Sequence, residues 1–334
     1  MLTGYDRGST TRTGASAQMA ALGGSSVVSP APPGARSAIR VRHNLRNDPR
    51  LERSAIAELA STAKPSSIEH HVAALPLLLP TGEAPQLELT PPQVVRGIED
   101  NNCWIGLFHL EQEDRYRRLL DDCLASWKTH FALEGGMTST TASVYLASPY
   151  SVTPAHIDRP HNLLLQIEGT KEVVVGTFDT REDEAAEVNR HFDPEPSNFS
   201  TLPPHSTSWV IGPGEGLYLP PYTPHWVRTG NEVTLSLSCV VRTPASRRLE
   251  RAHICNARLR RMGLHPAPAG SSDLVDTAKA TIVSAGRWAR ESSVTKVARR
   301  TLKMFADSSH SGALQGALPA SGADGASTEP DQGG

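Results

Sequence analysis

Three side chains have the types and the spacing to hold a metal ion on one face. His156 and Asp158 stand two apart in TPAHIDRPHNLLLQIEGTK (153–171), and His225 follows in GLYLPPYTPHWVRTGNEVTLSLSCVVR (216–242). On an extended strand, residues i and i+2 point the same way. His156 and Asp158 therefore project together while Ile157 points away. A distant histidine at the edge of a later strand completes a set of two imidazoles and one carboxylate. That facial set leaves three coordination positions open, the arrangement that suits non-haem Fe(II) oxygen chemistry. H-x-D by itself is a weak signal in a chain with 13 histidines. His161 is near in sequence, but its odd spacing from both His156 and Asp158 sends it to the opposite face.

A triad of this kind needs strands to carry it, and the middle third supplies them. β-rich segments occur at about 139–147, 153–158, 161–167, 171–178, 206–211, 216–219, 224–228 and 232–241. Turns such as EGT (168–170), GPGEG (212–216) and TGNE (229–232) separate them. Short strands with few helical interruptions predict a mainly β core, a sandwich or jelly roll, with helices at its flanks. The polar, acidic stretch 179–199 reads as an insertion or loop. Tyr222 and Trp226 read as core or rim.

Upstream, residues 1–38 are rich in Gly, Ser, Ala and Pro and read as a disordered leader. Residues 39–137 read as a helical and strand segment packed on the core. Asp48 before Pro49 and Thr90 before Pro91 both have the form of a helix start. SIEHHVAAL (67–75) and NCWIGLFHL (102–110) read as strands. Residues 115–131 read as one amphipathic helix with Leu119, Cys123, Leu124 and Trp127 on its apolar stripe. The β core spans 138–245. Helices follow over 246–306, and 307–334 reads as a disordered tail.

Composition narrows the partners. The chain has 334 residues and a net charge of −2, so no global field draws it to nucleic acid or to a membrane surface. The C-terminal stretch 246–303 differs, with 13 Lys/Arg against 4 Asp/Glu, a net of +9. A basic helical face could bind nucleic acid, but a solvated face of a docking or dimerising helix is the preferred reading. The four cysteines form no C-x-x-C pair, which fits a reducing compartment. No secretory signal is visible, and no run approaches the ~18 apolar residues of a membrane span. The expected location is cytoplasmic.

The residues around the triad are more specific than the triad. T-P-x-H-x-D…N-x-x-x-Q-x-x-G-x-K, carried by Thr153, His156, Asp158, Asn162, Gln166 and Lys171, resembles the JmjC/cupin-like hydroxylases, including asparaginyl hydroxylases and bacterial cupin-like proteins. YLPPYTPHWVR followed by VTLSLS is similar to the family's second-histidine and closing strands. The close resemblance covers about 100 residues, 138–242.

The resemblance implies a double-stranded β-helix that binds Fe(II) through His156, Asp158 and His225. It also implies 2-oxoglutarate and O2 as co-substrates, with decarboxylation to succinate and CO2. Lys171 and Thr153 would hold the far carboxylate of 2-oxoglutarate by charge-assisted and hydroxyl hydrogen bonds, and Asn162 would donate towards its metal-proximal end. The chain departs from the family at two places. Ser238 stands where the closing strand often carries an asparagine. Tyr145 is the nearest match, by strand position, to a tyrosine that shares the far-carboxylate contact.

The implied activity is hydroxylation of a peptide or protein side chain or of a small natural product. The C-terminal helices would form a homodimer, as family members commonly do. Two other classes stay open: a metal-dependent cupin enzyme that does not use 2-oxoglutarate, and a non-catalytic cupin-like regulatory protein.

Overall fold

The computed structural model describes residues 27–30, 37–79, 87–192 and 199–291. The chain divides into two compact units, residues 1–281 and 282–334. All that follows concerns the first. Of the second, residues 282–291 are the final turns of the last helix. The expected tail, 307–334, residues 292–306 of the expected C-terminal helices and most of the expected leader lie outside the described residues.

Eleven strands are described: β1 (Ile39–Arg42), β2 (Ile68–Val72), β3 (Cys103–Phe108), β4 (Ser139–Ala147), β5 (Val152–Ile157), β6 (His161–Glu168), β7 (Lys171–Thr177), β8 (His205–Ile211), β9 (Glu215–Leu219), β10 (Pro224–Thr229) and β11 (Thr234–Arg242). They form two antiparallel sheets. The larger runs β1-β9-β6-β11-β4-β3-β2 and the smaller β5-β10-β7-β8. From β4 to β11 the chain passes back and forth between the sheets, winding both into a double-stranded β-helix of the cupin-like, jelly-roll type. The eight segments anticipated between 139 and 241 are β4 to β11, with ends shifted by one or two residues.

The larger sheet is apolar on its outer face and polar within. On β4, Ala142, Val144 and Leu146 face outward. So do Leu163, Leu165 and Ile167 on β6, and Leu235, Leu237, Cys239 and Val241 on β11. All of them join the principal core under the N-terminal helices. The alternate positions, Tyr145, Asn162, Gln166, Ser236 and Ser238, therefore point into the barrel. At one end the barrel is plugged by Leu164, Val173, Ile211, Leu217, Leu219 and Val227. Tyr145 and Asn162 line a cavity beside this plug, whereas Gln166, Ser236 and Ser238 are fully buried.

The covering helices are α1 (Arg53–Thr62), α2 (Pro91–Arg96), α3 (Asp114–Leu124) and α4 (Lys128–Ala132). Asp48 caps a 3-10 turn at Pro49–Leu51 that precedes α1. Gln93 Oε1 accepts from the Thr90 amide at 2.9 Å, with Pro91 at the first turn of α2. The single helix expected over 115–131 is broken. A 3-10 turn at Ala125–Trp127 separates α3 from α4, yet the stripe Leu119, Cys123, Leu124 and Trp127 stays buried. The expected leader also reaches further in than its composition suggests. Val28 is fully buried, and Ser29 O accepts from Trp127 Nε1 at 3.0 Å.

The smaller sheet is covered on its outside by α5 (Arg181–Arg190) and α6 (Pro244–Arg261). Val188, Phe192, Tyr222 and Trp226 pack there with Ala155, Ile157 and Val174. Helix α5 lies where an insertion or loop is expected. Thr180 caps it by accepting from the Asp183 amide at 3.1 Å, and Glu182, Asp183 and Glu184 suit its positive N-terminal end. Helix α6 starts from a reciprocal Thr243–Ser246 cap ahead of Pro244. The last helix, α7, spans Asp273–Glu291. The cysteines Cys103, Cys123, Cys239 and Cys255 are free and buried. Among the described residues, no helix is long and apolar enough to cross a membrane.

Candidate metal centre and its cavity

His156 and Asp158 reach the barrel interior from β5 and the residue after its end, while His225 reaches it from β10. These strands are antiparallel neighbours, and His225 stands opposite His156 in the register. The two imidazole centroids are 4.2 Å apart. His225 Nε2 lies 4.0 Å from Asp158 Oδ2, and one donor atom from each of the three residues falls within 4.8 Å of the others. Among the described residues, no other group of three His, Cys, Asp or Glu side chains meets as a set of this kind.

The donor set fits a divalent metal in its details. His156 Nδ1 is 2.8 Å from Pro154 O, and His225 Nδ1 is 2.9 Å from Thr223 O. A carbonyl only accepts, so each Nδ1 carries the proton and each Nε2 lone pair is free to coordinate. Burial, with His156 adding to it, holds the His225 pKa down to about 4, so this imidazole is neutral at pH 7. Burial alone would raise the Asp158 carboxyl. The adjacent His225 and His156 and the Asn162 amide outweigh that and keep it below the ordinary value, hence ionised. Two imidazole Nε2 atoms and one carboxylate form a donor set that suits a hard-to-borderline divalent cation with open positions.

The backbone around the carboxylate is clamped. The Tyr222 amide donates to Asp158 O at 2.7 Å, from a left-handed turn with φ of 61°. The Arg159 guanidinium lies over the Phe192 ring at 4.5 Å and 3.4 Å from Glu250 Oε1 on α6. Phe192, two residues past the end of α5, and Glu250 on α6 thus brace the segment that presents Asp158.

The triad opens into a cavity of ≈ 380 Å³. Thr153, Asn162, Lys171 and Tyr145 line it together with the three ligands. Lys171 is 6 % exposed, and burial lowers its pKa to about 7. Among the described residues, neither the Lys171 ammonium nor the Thr153 hydroxyl has a hydrogen-bond or ion-pair partner. A buried, unpaired ammonium is costly unless an anion meets it. Ser238 does not line the cavity. It is fully buried behind Asn162, and its Oγ donates to Asn162 Oδ1 at 2.7 Å. Asn162 Nδ2 in turn donates to Asp158 Oδ2 at 2.9 Å. Tyr145 stands with its hydroxyl beside Ser143 and Ser238, and burial raises its pKa. Gln166 serves the turn that precedes Lys171. Its amide donates to Glu168 O and to Gly169 O, while Ser236 Oγ donates to its Oε1 at 2.7 Å. Gly169 is required there, since at φ 65° a Cβ would fall 2.1 Å from Val233 O.

The N-terminal segment supplies a wall that sequence reading does not place at the site. Glu69 and His71 on β2 and Trp104 and Phe108 on β3 line the cavity opposite the ligands. His71 stacks on Trp104 at 4.6 Å and Trp104 on Tyr145 at 5.6 Å, a ladder of rings from β2 to β4. Alternation within β2 and β3 shows which residues share a face. It does not show that β3 pairs with β4 and so carries that face into the barrel. His191, at the end of α5, is also close to the centre. Burial, then Arg159 and His156, push its pKa down to about 4.

Comparison with known proteins gives one family and a set of distant structures. Residues 121–249 match the family model described as the JmjC domain. No curated protein matches the chain. An X-ray structure of ycfD from Escherichia coli is similar at 15% identity with a TM-score of 0.43, covering 76% of this chain and 64% of that one. A structure of the Escherichia coli ribosomal oxygenase YcfD with cobalt and 2-oxoglutarate is similar at 14% identity with a TM-score of 0.40, covering 75% and 63%. The DMSP lyase DddQ of Ruegeria pomeroyi is similar at 16% identity with a TM-score of 0.22, over 31% and 39%. The chain spans less than two thirds of the length of the first of these structures.

Proposed function

From the premise that this chain carries a JmjC domain, we propose that it is an Fe(II)- and 2-oxoglutarate-dependent oxygenase that hydroxylates a peptide or protein side chain. The observation that carries the reading is the sharing of one cavity by the His156–Asp158–His225 set and the unpaired, buried Lys171.

His156, Asp158 and His225 would hold Fe(II), and Lys171 with Thr153 would hold the far carboxylate of 2-oxoglutarate. When bound, iron and 2-oxoglutarate together supply the oxidising power that activates O2 for insertion into a C–H bond, leaving succinate and CO2. The protein's own groups do the rest. Lys171 meets the carboxylate as a charge-assisted donor, which also relieves its own burial. Thr153 adds a hydroxyl, and the apolar plug behind Leu164 and Val227 keeps that end dry. The ring wall of His71, Trp104 and Phe108 closes the side opposite the ligands and leaves the mouth for the substrate. A cavity of ≈ 380 Å³ suits a small co-substrate plus one inserted side chain.

We place the catalytic core at 138–245, with 39–137 as the wall-forming segment and the C-terminal helices, described as far as residue 291, after it. Met262 and Leu264 after α6 and Leu274 on α7 are exposed at 66%, 53% and 85%. These exposed apolar side chains support a homodimer through the C-terminal helices. A cytoplasmic location accords with the free cysteines.

The test is succinate formation from 2-oxoglutarate after anaerobic loading with Fe(II) and transfer to air. Wild type should turn over slowly without substrate, and His156→Ala should not. N-oxalylglycine binding, measured in parallel, covers the case of slow uncoupled turnover. Wild type that neither makes succinate nor binds N-oxalylglycine would sink the reading.

A further inference from the structure

Asp158 is the one ligand whose side-chain orientation is set by other side chains. Each histidine is fixed through a carbonyl two residues before it, on its own segment. Asp158 instead depends on β6 and β11. Asn162 Nδ2 donates to Asp158 Oδ2 at 2.9 Å, and Ser238 Oγ donates to Asn162 Oδ1 at 2.7 Å. The order is dictated by chemistry. An ionised carboxylate only accepts, so Asn162 must turn its amino end to Asp158. That leaves the amide oxygen towards Ser238, whose hydroxyl proton has somewhere definite to go. Both bonds run in one direction and polarise one another.

The strands make this arrangement possible. In the β6/β11 register, Ser238 stands opposite Leu164 and Val240 opposite Asn162. Ser238 and Asn162 are thus diagonal neighbours on the inward face, within reach of one another. Ser238 is 0% and Asn162 7% exposed, so solvent does not compete for either bond. Both ends of the Asn162 amide are engaged, and its amino group is committed to the ligand.

We propose that Ser238 and Asn162 are positioning residues for the metal centre: Asn162 aims the Asp158 carboxylate at the metal, and Ser238 acts through Asn162 by fixing which end of the amide faces the ligand. This rests on the metal reading of His156, Asp158 and His225. Its consequence is that part of the ordering of Asp158 is complete before metal arrives, so that binding need not supply it.

The experiment is a double-mutant cycle read by Co(II) binding to the full chain, without co-substrate and without oxygen, followed by visible absorbance. Partners behind a metal ligand are worth on the order of 10–100-fold in metal affinity. Asn162→Ala should weaken Co(II) binding within that range, and Ser238→Ala by about tenfold at the lower end of it. The double variant should be no weaker than Asn162→Ala alone, because the Ser238 hydroxyl donates to Asn162 and acts on the ligand through it. Ser238→Thr keeps the hydroxyl and should bind close to wild type. A merely structural Ser238 would lower the unfolding temperature of the metal-free chain and leave Co(II) affinity unmoved. Additive losses, or Ser238→Ala that binds as wild type does, would overturn the positioning role while the metal reading stands. Wild type that fails to bind Co(II), or His156→Ala that still binds it, would overturn the metal reading and this inference with it.

Discussion

The larger sheet separates two clusters built from the same kinds of side chain. On the inner side are His156, Asp158 and His225. On the outer side of β6 lie His161, Glu134, Tyr218 and His130. The outer cluster is closed. His161 uses both ring nitrogens, Nδ1 with Tyr218 Oη at 2.8 Å and Nε2 with Glu134 Oε2 at 2.9 Å. His130 Nε2 reaches the same Tyr218 hydroxyl at 3.3 Å, and Thr243 Oγ1 donates to Glu134 Oε2 at 2.8 Å. The inner cluster is open, because each histidine spends one nitrogen on its own backbone and keeps the other towards the cavity. What makes a binding centre is therefore unspent capacity. The outer set joins α4, β6, β9 and the start of α6, and has nothing left for a metal.

The sharpest way to break this comparison is to remove a histidine from each side. His225→Ala should lower Co(II) affinity by more than the roughly 100-fold that loss of a supporting partner can cost, with little change in folding. His161→Ala should do the reverse. It leaves Glu134 and Tyr218 without their shared partner and should cost about 1–3 kcal/mol of stability, with Co(II) affinity unchanged. Urea unfolding and Co(II) binding on both variants decide the matter. Loss of metal from His161→Ala would erase the distinction.

Lys171 gives the next effect. Lys171→Ala should weaken N-oxalylglycine binding by about 10–100-fold, the worth of a charged hydrogen bond of roughly 1.5–3 kcal/mol. Metal affinity should hold, because no ligand atom is touched. Unchanged affinity for both would mean that the anion site is elsewhere. The same residue predicts a pH dependence. Burial puts the Lys171 pKa at about 7, and an anion binds the ammonium, not the amine. Affinity for N-oxalylglycine should be full below that pH and should fall by about tenfold per unit above it, until the pH reaches the higher pKa of the complex. Lys171→Arg, charged throughout, should flatten the profile if it still binds. A wild-type affinity that is level from pH 6 to 9 would contradict the assignment.

The contrast between the two clusters also shows what sequence can and cannot convey. Strands β4 to β11 are legible because turns punctuate them and their apolar residues alternate. Alternation distinguishes two faces but does not say which one is inside. Here helices cover the outer face of the larger sheet, so the polar residues Asn162, Gln166, Ser236 and Ser238 point inward, where a surface reading is equally natural. Helix α5 is hidden for a related reason. Only Val188 is buried along it, so it carries too little apolar signal to stand out from an acidic loop. The break at Ala125–Trp127 leaves the buried stripe intact and is invisible to periodicity. The i, i+2 placement of His156 and Asp158 is local and can be read directly. His225 opposite His156, Trp104 beside Tyr145 and Ser238 diagonal to Asn162 are consequences of non-local register, which is set by the folded sheets.

The smallest effect tests how finely the open side is tuned. Thr153 lies on β5 three residues before His156 and opposite Val227, and its hydroxyl lines the cavity with no partner among the described residues. If it donates to the same carboxylate as Lys171, Thr153→Val removes one hydrogen bond and keeps the shape. The expected loss is about 0.5–1.5 kcal/mol, or roughly 2–10-fold in N-oxalylglycine affinity. Thr153→Ser should restore most of it. The sharper measurement combines Thr153→Val with Lys171→Ala. Two groups that grip one carboxylate are coupled, so the second substitution should cost less once the first is made. Independent losses would place the hydroxyl and the ammonium on different parts of the ligand, and would limit the anion site to Lys171.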